Sequence, residues 1–201
     1  MYAHYCWEPV DGVGFEDCAV SFSPGIQADG LVVAVGGDDD ATRVRYRLRT
    51  DSEFRTETVR VDRFDAGEGD DAAASDSLSL VAEGGSWTVD GEPAPALDDC
   101  LDVDVAVTPL TNTLPIRRLG LAPGESAAIA VAYLDPRTLD VSRAEQRYTR
   151  LRSADESDRD GDRYRYESLT SGFTATVAVD AAGVVRDYPG AFRRVRSPSE
   201  T

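Results

Sequence analysis

Lysine is absent from this 201-residue chain: all 21 basic residues are arginine. Histidine occurs once, at His4, which leaves almost no material for a histidine-based zinc site or a Ser-His-Asp triad. The three cysteines, Cys6, Cys18 and Cys100, are separated by 11 and 81 residues and match no paired-thiol metal or redox motif. They read as small core or near-surface residues of a cytosolic protein. No run approaches the ~18 apolar residues of a membrane span. The N-terminal MYAHYCWEPVDG, with Glu8 and Asp11, is no apolar signal segment. The expectation is a cytoplasmic protein without stable membrane insertion, with His4 in a loose N-terminus. A basic surface is lacking too: the formal net charge is −16, spread along the whole chain, which argues against a nucleic-acid partner.

What the chain has is aspartate, 25 against 12 glutamates. Short carboxylates without lysine stems resemble adaptation to a cytoplasm at molar salt, where a Debye length of about 3 Å nearly abolishes repulsion among acids. The 41% hydrophobic content suffices for a core, and residues 1–201 read as a single domain.

Alternation with a period of two recurs from end to end. Val44, Tyr46 and Leu48 oppose Arg43, Arg45, Arg47 and Arg49. Leu101, Val103, Val105 and Val107 oppose Asp102 and Asp104. Tyr164 and Tyr166 oppose Arg163, Arg165 and Glu167, and Phe173, Ala175, Val177 and Val179 oppose Thr174 and Thr176. These are half-buried strands of an antiparallel sheet with one wet face. Further strands are expected near 17–22, 30–35, 54–64, 77–82, 85–90, 127–134, 141–151 and 184–188. Asp90-Gly91 reads as a tight turn and Asp180 to Gly183 as a hairpin loop. Asp65 to Ser77 and Ser153 to Asp162 read as mobile acidic loops. One short helix is expected over 112–119, capped by Asn112 or Thr113, with Pro115 early and Gly120 closing it. Some eleven strands are too much sheet to lie flat, so the sheet curls.

The segment TPLTNTLPIRRLGL, Thr108 to Leu121, interrupts this pattern: nine uncharged residues, then Arg117 and Arg118 in an apolar run. Together with Trp7, Glu16, Trp87, Asp90-Gly91, LDVDVAVTPLTNTLPIRRL, Gln146, Tyr148 and Val185 to Pro189, it resembles the putative glycolipid-binding family. That resemblance covers most of the chain. It implies a mainly β fold similar to the lipoprotein carriers, a strongly curled antiparallel sheet forming an unclosed barrel around a short helix. It also implies an amphipathic, glycolipid-like ligand, with no cofactor. Leu110 departs from the pattern, where an aromatic residue is expected. The carriers' trafficking role outside the membrane does not transfer to a chain read as cytoplasmic.

The candidate ligand-binding residues are Arg117, Arg118, Asp102, Asp104, Asn112, Trp87, Tyr148 and Tyr46. An arginine inside a curled sheet needs a carboxylate, and Asp102 and Asp104 are the nearest in sequence. Either the Arg–Asp set locks the helix, or one arginine faces the concavity and grips a headgroup by bidentate hydrogen bonds. Trp7, Tyr133, Tyr164, Tyr166, Phe173 and Tyr188 are further aromatics that fill a core or line a pocket. No catalytic or metal-binding residue is assigned. Glu156 to Glu167 is close to a calcium loop, but an arginine stands at its eighth position, Arg163, and no helix flanks it. Two alternatives to a non-enzymatic binder stay open. One is an enzyme acting on a sugar or lipid, with Asp102, Asp104, Glu16 or an arginine in its site. The other is a structural or interaction protein with a self-filled core. The oligomeric state is not legible in the sequence.

Overall fold

The computed structural model describes residues 2–35, 41–64, 75–151 and 161–196. Most of both acidic loops and the first part of the calcium-loop-like segment lie outside these residues. A first meander comprises β1 (Ala3–Pro9), β2 (Val13–Ser21), β3 (Gln27–Val35), β4 (Ala41–Thr50), β5 (Thr56–Arg63), β6 (Asp76–Glu83), β7 (Ser86–Val89) and β8 (Glu92–Pro93). The chain then passes through β9 (Asp102–Val105) and a 3-10 turn (Leu110–Asn112) into the helix α1 (Thr113–Leu119). A second meander follows: β10 (Ser126–Asp135), β11 (Asp140–Arg150), β12 (Arg163–Ser168), β13 (Thr174–Val179), β14 (Val185–Tyr188) and β15 (Phe192–Arg196).

All fifteen strands belong to one sheet, with β8 and β9 at its edges and β15 paired to β1 to join the two meanders. Among the described residues no ladder joins the two edges in that order, so the sheet is an unclosed barrel. Its curl is held by other bonds. The Thr56 N–H donates to the Leu101 carbonyl at 2.9 Å, and the Val103 N–H to Thr56 Oγ1 at 3.0 Å. Trp87 Nε1 donates to the Cys100 carbonyl at 2.9 Å. These tie β9 and the segment before it to β5 and β7, so the two margins of the sheet meet across the curl.

The alternation of β4 behaves as its sequence dictates. Val44, Tyr46 and Leu48 are buried, while Arg45, Arg47 and Arg49 reach Asp29, Asp62 and Glu57 on the outside. Asp90 and Gly91 both take positive φ, 50° and 85°, as a two-residue hairpin between β7 and β8 needs. The Asp180 N–H donates to the Val184 carbonyl and closes the β13–β14 loop. The core falls into two clusters that meet at the helix. Leu110 and Leu114 join the larger, with Tyr46, Leu80 and Val103, and Ile116 joins the smaller, with Tyr148, Val177 and Val185.

Several expectations are corrected. The sheet is not wholly antiparallel: β9 pairs with β10 in parallel, Asp102 opposite Val131 and Val105 opposite Leu134. Between them the chain crosses over through α1, and a helical crossover returns the chain in the same direction. Nor is either face of β9 fully wet, since Asp104 is half-buried. Val103 and Val105 pack in the larger cluster, while Asp102 on the other face is also fully buried. Residues 3–9 are no loose terminus but a strand in the middle of the sheet. There a register shift between Cys6 and Trp7 lets Tyr5, Cys6 and Trp7 all be buried, which hides the alternation. The strand 192–196 is also unforeseen, because three of its five residues are arginine. The helix matches its expected span and ends at Gly120 with φ 53°, but Asn112 does not cap it. Asn112 is itself in the right-handed helical region, because the 3-10 turn runs directly into α1.

Candidate ligand-binding site

Among the described residues, turns close one end of the barrel and leave the other end open. At the closed end the β2–β3, β4–β5 and β13–β14 connections gather around Arg117. Its guanidinium donates to the Ala182 carbonyl at 2.7 Å and lies 4.5 Å from the Phe54 ring centroid and 5.5 Å from that of Phe22. Arg118 turns to the wall instead. Its Nη2 is 2.5 Å from Asp102 Oδ2, and its Nε lies 3.1 and 3.2 Å from the two carboxylate oxygens. The Asp102 side chain is 0% exposed, so this is a buried pair that fixes α1 to β9.

At the open end two cavities flank the segment that leaves β9. One, of about 480 Å³, has Trp7, Glu16 and Val32 as its most buried lining, with Phe15, Val35 and Arg137 nearer the rim. Trp7, Glu16 and Val32 are neighbours in register across β1, β2 and β3, so strand pairing alone sets them in one row. The second, of about 440 Å³, is lined by Asp104, Asn112 and Gln146 and by Tyr166, Phe173 and Tyr188. The two share Ala106, Tyr133 and Phe192. Both exceed the ~300 Å³ at which a cleft begins to hold a small ligand.

Polar groups at the second cavity hold one another. Gln146 Nε2 donates to Asp104 Oδ2 at 2.6 Å, and Thr111 Oγ1 to Asp104 Oδ1 at 3.2 Å. Tyr148 donates its hydroxyl to Asn112 Oδ1 at 2.9 Å. Burial raises the Asp104 carboxyl above the ordinary carboxylate range, against these two donors. The aromatic wall is continuous: Tyr166 lies 5.4 Å from Tyr148 and 5.9 Å from Tyr188, both edge-on, and Tyr188 lies 6.4 Å from Phe192. At the first cavity the acid is Glu16, only 2% exposed. Burial pushes its carboxyl up to about 8, against hydrogen bonds from Tyr46 and Thr108. At neutral pH it is therefore mostly an uncharged acid.

Of the residues singled out in the sequence, Asp104 and Asn112 line the second cavity. Tyr46 and Tyr148 stand behind the lining, one bonded to Glu16 and the other to Asn112. Arg117, Arg118, Asp102 and Trp87 line neither cavity. Asp102 and Asp104 share a face of β9 but not a cleft, since only Asp104 reaches a cavity. Leu110, in the place of the expected aromatic, is fully buried in the larger cluster and lines neither cavity. Sequence reasoning passed over Arg137 and Phe192, named Gln146 only as part of the family resemblance, and gave Glu16 no binding role beyond that resemblance and the alternative of a catalytic acid. One signal pointed to Glu16. It shares a strand face with Cys18 and Val20, and a carboxyl there is out of place unless it has a task.

Comparison with known proteins places this geometry. Residues 4–194 match the family described as Putative glycolipid-binding. Among solved structures, a DUF1089 family protein from Pseudomonas aeruginosa is 35% identical, with a TM-score of 0.72 over 90% of this chain and 92% of that one. A beta-barrel-like protein of the DUF1849 domain from Brucella abortus shares the fold at 9% identity, with a TM-score of 0.52 over 98% of this chain and 96% of that one. No curated protein matches. With nearly its whole length matched, this chain belongs to the Putative glycolipid-binding family.

Proposed function

We propose that the protein binds a glycolipid or a similar amphipathic molecule at the open end of the barrel and does so without catalysis. The observation that carries this reading is the pair of contiguous cavities with different linings. Trp7, Val32 and Val35 offer an apolar recess. Asp104, Asn112 and Gln146, beside Tyr166, Phe173 and Tyr188, offer the mix of hydrogen-bonding groups and ring faces that suits a hydroxyl-rich head. Ala106, Tyr133 and Phe192 line both, and in this reading one molecule lies across them. The family description supports the same class of ligand. In this reading Asp104 and Asn112 touch the head, and Tyr46 and Tyr148 hold the lining from behind. Arg117, Arg118 and Asp102 hold the helix. Trp87 anchors the chain beside β9. Cys6, Cys18 and Cys100 are buried and form no disulfide among the described residues, which fits a reducing cytoplasm, the compartment we take as the working one. The acidic, lysine-free surface fits a soluble carrier in concentrated salt rather than a nucleic-acid partner.

Native mass spectrometry of protein purified without detergent from its own host tests this. A bound lipid mass is expected on the wild type. It is expected to vanish in Ala106→Trp, whose indole fills the wall common to both cavities, while the circular dichroism stays unchanged. A wild type free of any adduct argues for a self-filled barrel, and an adduct that persists in Ala106→Trp argues that the lipid binds away from these cavities.

A further inference from the structure

The acid in the first cavity is only half satisfied. Glu16 Oε1 accepts the Tyr46 hydroxyl at 2.5 Å and the Thr108 hydroxyl at 2.7 Å, and Thr108 Oγ1 in turn accepts the Leu110 N–H at 3.0 Å. Glu16 Oε2 is buried and has no hydrogen-bond partner among the described residues. In the arrangement in which both hydroxyls donate to Oε1, that oxygen is the carbonyl of the acid and the proton sits on Oε2. A buried donor without an acceptor is costly, and neither Trp7 nor Val32 beside it supplies one. The charged lining residues, Asp11 and Arg137, are exposed, and Arg137 is paired to Asp135 at 2.8 Å.

We propose that the Oε2–H of Glu16 is the polar anchor of this recess and donates a hydrogen bond to the acyl carbonyl of an ester- or amide-linked lipid. A carbonyl fits better than a hydroxyl. It only accepts, and is satisfied by the one donor present, whereas a hydroxyl would bring a hydrogen of its own into apolar surroundings. It fits better than an anion as well, because Asp17 adjoins Glu16 in β2 and Asp11 stands in the lining. The proposal rests on the binding reading above and adds to it the residue and the chemical group recognised.

Two glycerol lipids of equal chain length separate the possibilities: 1-monolauroylglycerol, an ester, and 1-O-dodecylglycerol, the ether that lacks only the carbonyl. In calorimetric titrations at pH 7 in molar salt, the wild type is expected to bind the ester roughly tenfold more tightly. Glu16→Leu is expected to lose that preference and bind both as the wild type binds the ether. Glu16→Gln, whose amide N–H₂ replaces the acid proton, is expected to keep it.

The pH profile gives a second arm, independent of how well Glu16→Leu folds. As pH rises through about 8 the wild-type acid ionises, loses its donor and places a charge in the recess, so the ester preference falls. Glu16→Gln is expected to hold its preference up to pH 9. Cys18 and Tyr46, which face Glu16 from β2 and β4, are both pushed upward by burial, and Tyr133 on β10 is raised as well, so they stay protonated in this window. The charged groups near the recess are Asp11 and Arg137 in its lining and Asp17 beside Glu16 in β2. No ester preference in the wild type, a preference that survives in Glu16→Leu, or parallel pH profiles for wild type and Glu16→Gln would overturn the role of Glu16 and leave the binding reading in place. Failure of the wild type to bind either lipid would overturn both.

Discussion

Asp102 has no exposed surface, and its partner Arg118 is only 15% exposed along its side chain. Neither charge can turn to water when the other is removed. Arg117, one position earlier, shows the other way to place a guanidinium inside a barrel, against two phenylalanine rings and a backbone carbonyl. The adjacent pair therefore secures α1 at two points by two kinds of contact. Deleting one partner of a buried ion pair typically costs about 3–5 kcal/mol, whereas an apolar pair of similar volume often costs nothing. Arg118→Met and Asp102→Leu are each expected to destabilise by that amount in urea unfolding. The double variant is expected to recover most of the loss. A double variant as unstable as the sum of the singles would mean that the pair does not couple and that the helix is held by its apolar face alone.

At the scale of the element, β3 and β4 meet where Gly30 lies opposite Tyr46. A Cβ on Gly30 would sit 2.2 Å from the Tyr46 ring carbons and 2.5 Å from its oxygen, so the tyrosine lies flat on the strand only because position 30 is empty. That pose brings its hydroxyl to Glu16 and Thr108. Gly30→Ala is expected to cost about 1–3 kcal/mol through overpacking. It also moves Tyr46 off Glu16, so the ester preference should fall with stability. A change below about 0.5 kcal/mol would show that the ring relocates freely. Much at this scale was legible in the sequence. The alternating arginines fixed the faces of β4, Asp90-Gly91 its hairpin, and Pro115 with Gly120 the helix span. What escaped depended on pairing between distant strands. The bulge at Cys6–Trp7 hides β1, and the parallel union of β9 with β10 follows from a crossover whose path no local pattern records. Of the site, Asp104 and Asn112 could be named from the run LDVDVAVTPLTNTLPIRRL. The row of Trp7, Glu16 and Val32 could not, because it exists only once β1, β2 and β3 lie in register.

For the molecule as a whole, the governing quantity is a net charge of −16 on one small barrel. Part of the acid is locally neutralised. Arg45 binds Asp29 at 2.5 Å, Arg49 binds Glu57 at 3.0 Å, and Arg47 and Arg60 both reach Asp62, a ladder running across β3, β4 and β5. The Arg45 guanidinium holds the Asp29 carboxyl below its ordinary range, but such exposed pairs contribute under about 1 kcal/mol each. With 37 acids against 21 arginines, the ladder cannot absorb the rest. The balance is left to dissolved ions. The Debye length grows from about 3 Å at 1 M salt to about 10 Å at 0.1 M, so carboxylates that ignore one another in the first medium repel in the second. We expect the fold to loosen below roughly 0.5 M sodium chloride. Between molar and millimolar salt, a loss of about 3 kcal/mol would lower the melting temperature by roughly 10 °C. Sucrose stabilises by exclusion from the surface and screens nothing, so it should not replace the salt. A melting temperature that holds from molar to millimolar sodium chloride would defeat the high-salt reading. Full rescue by sucrose at low salt would assign the effect to surface exclusion rather than to the repulsion of unpaired carboxylates.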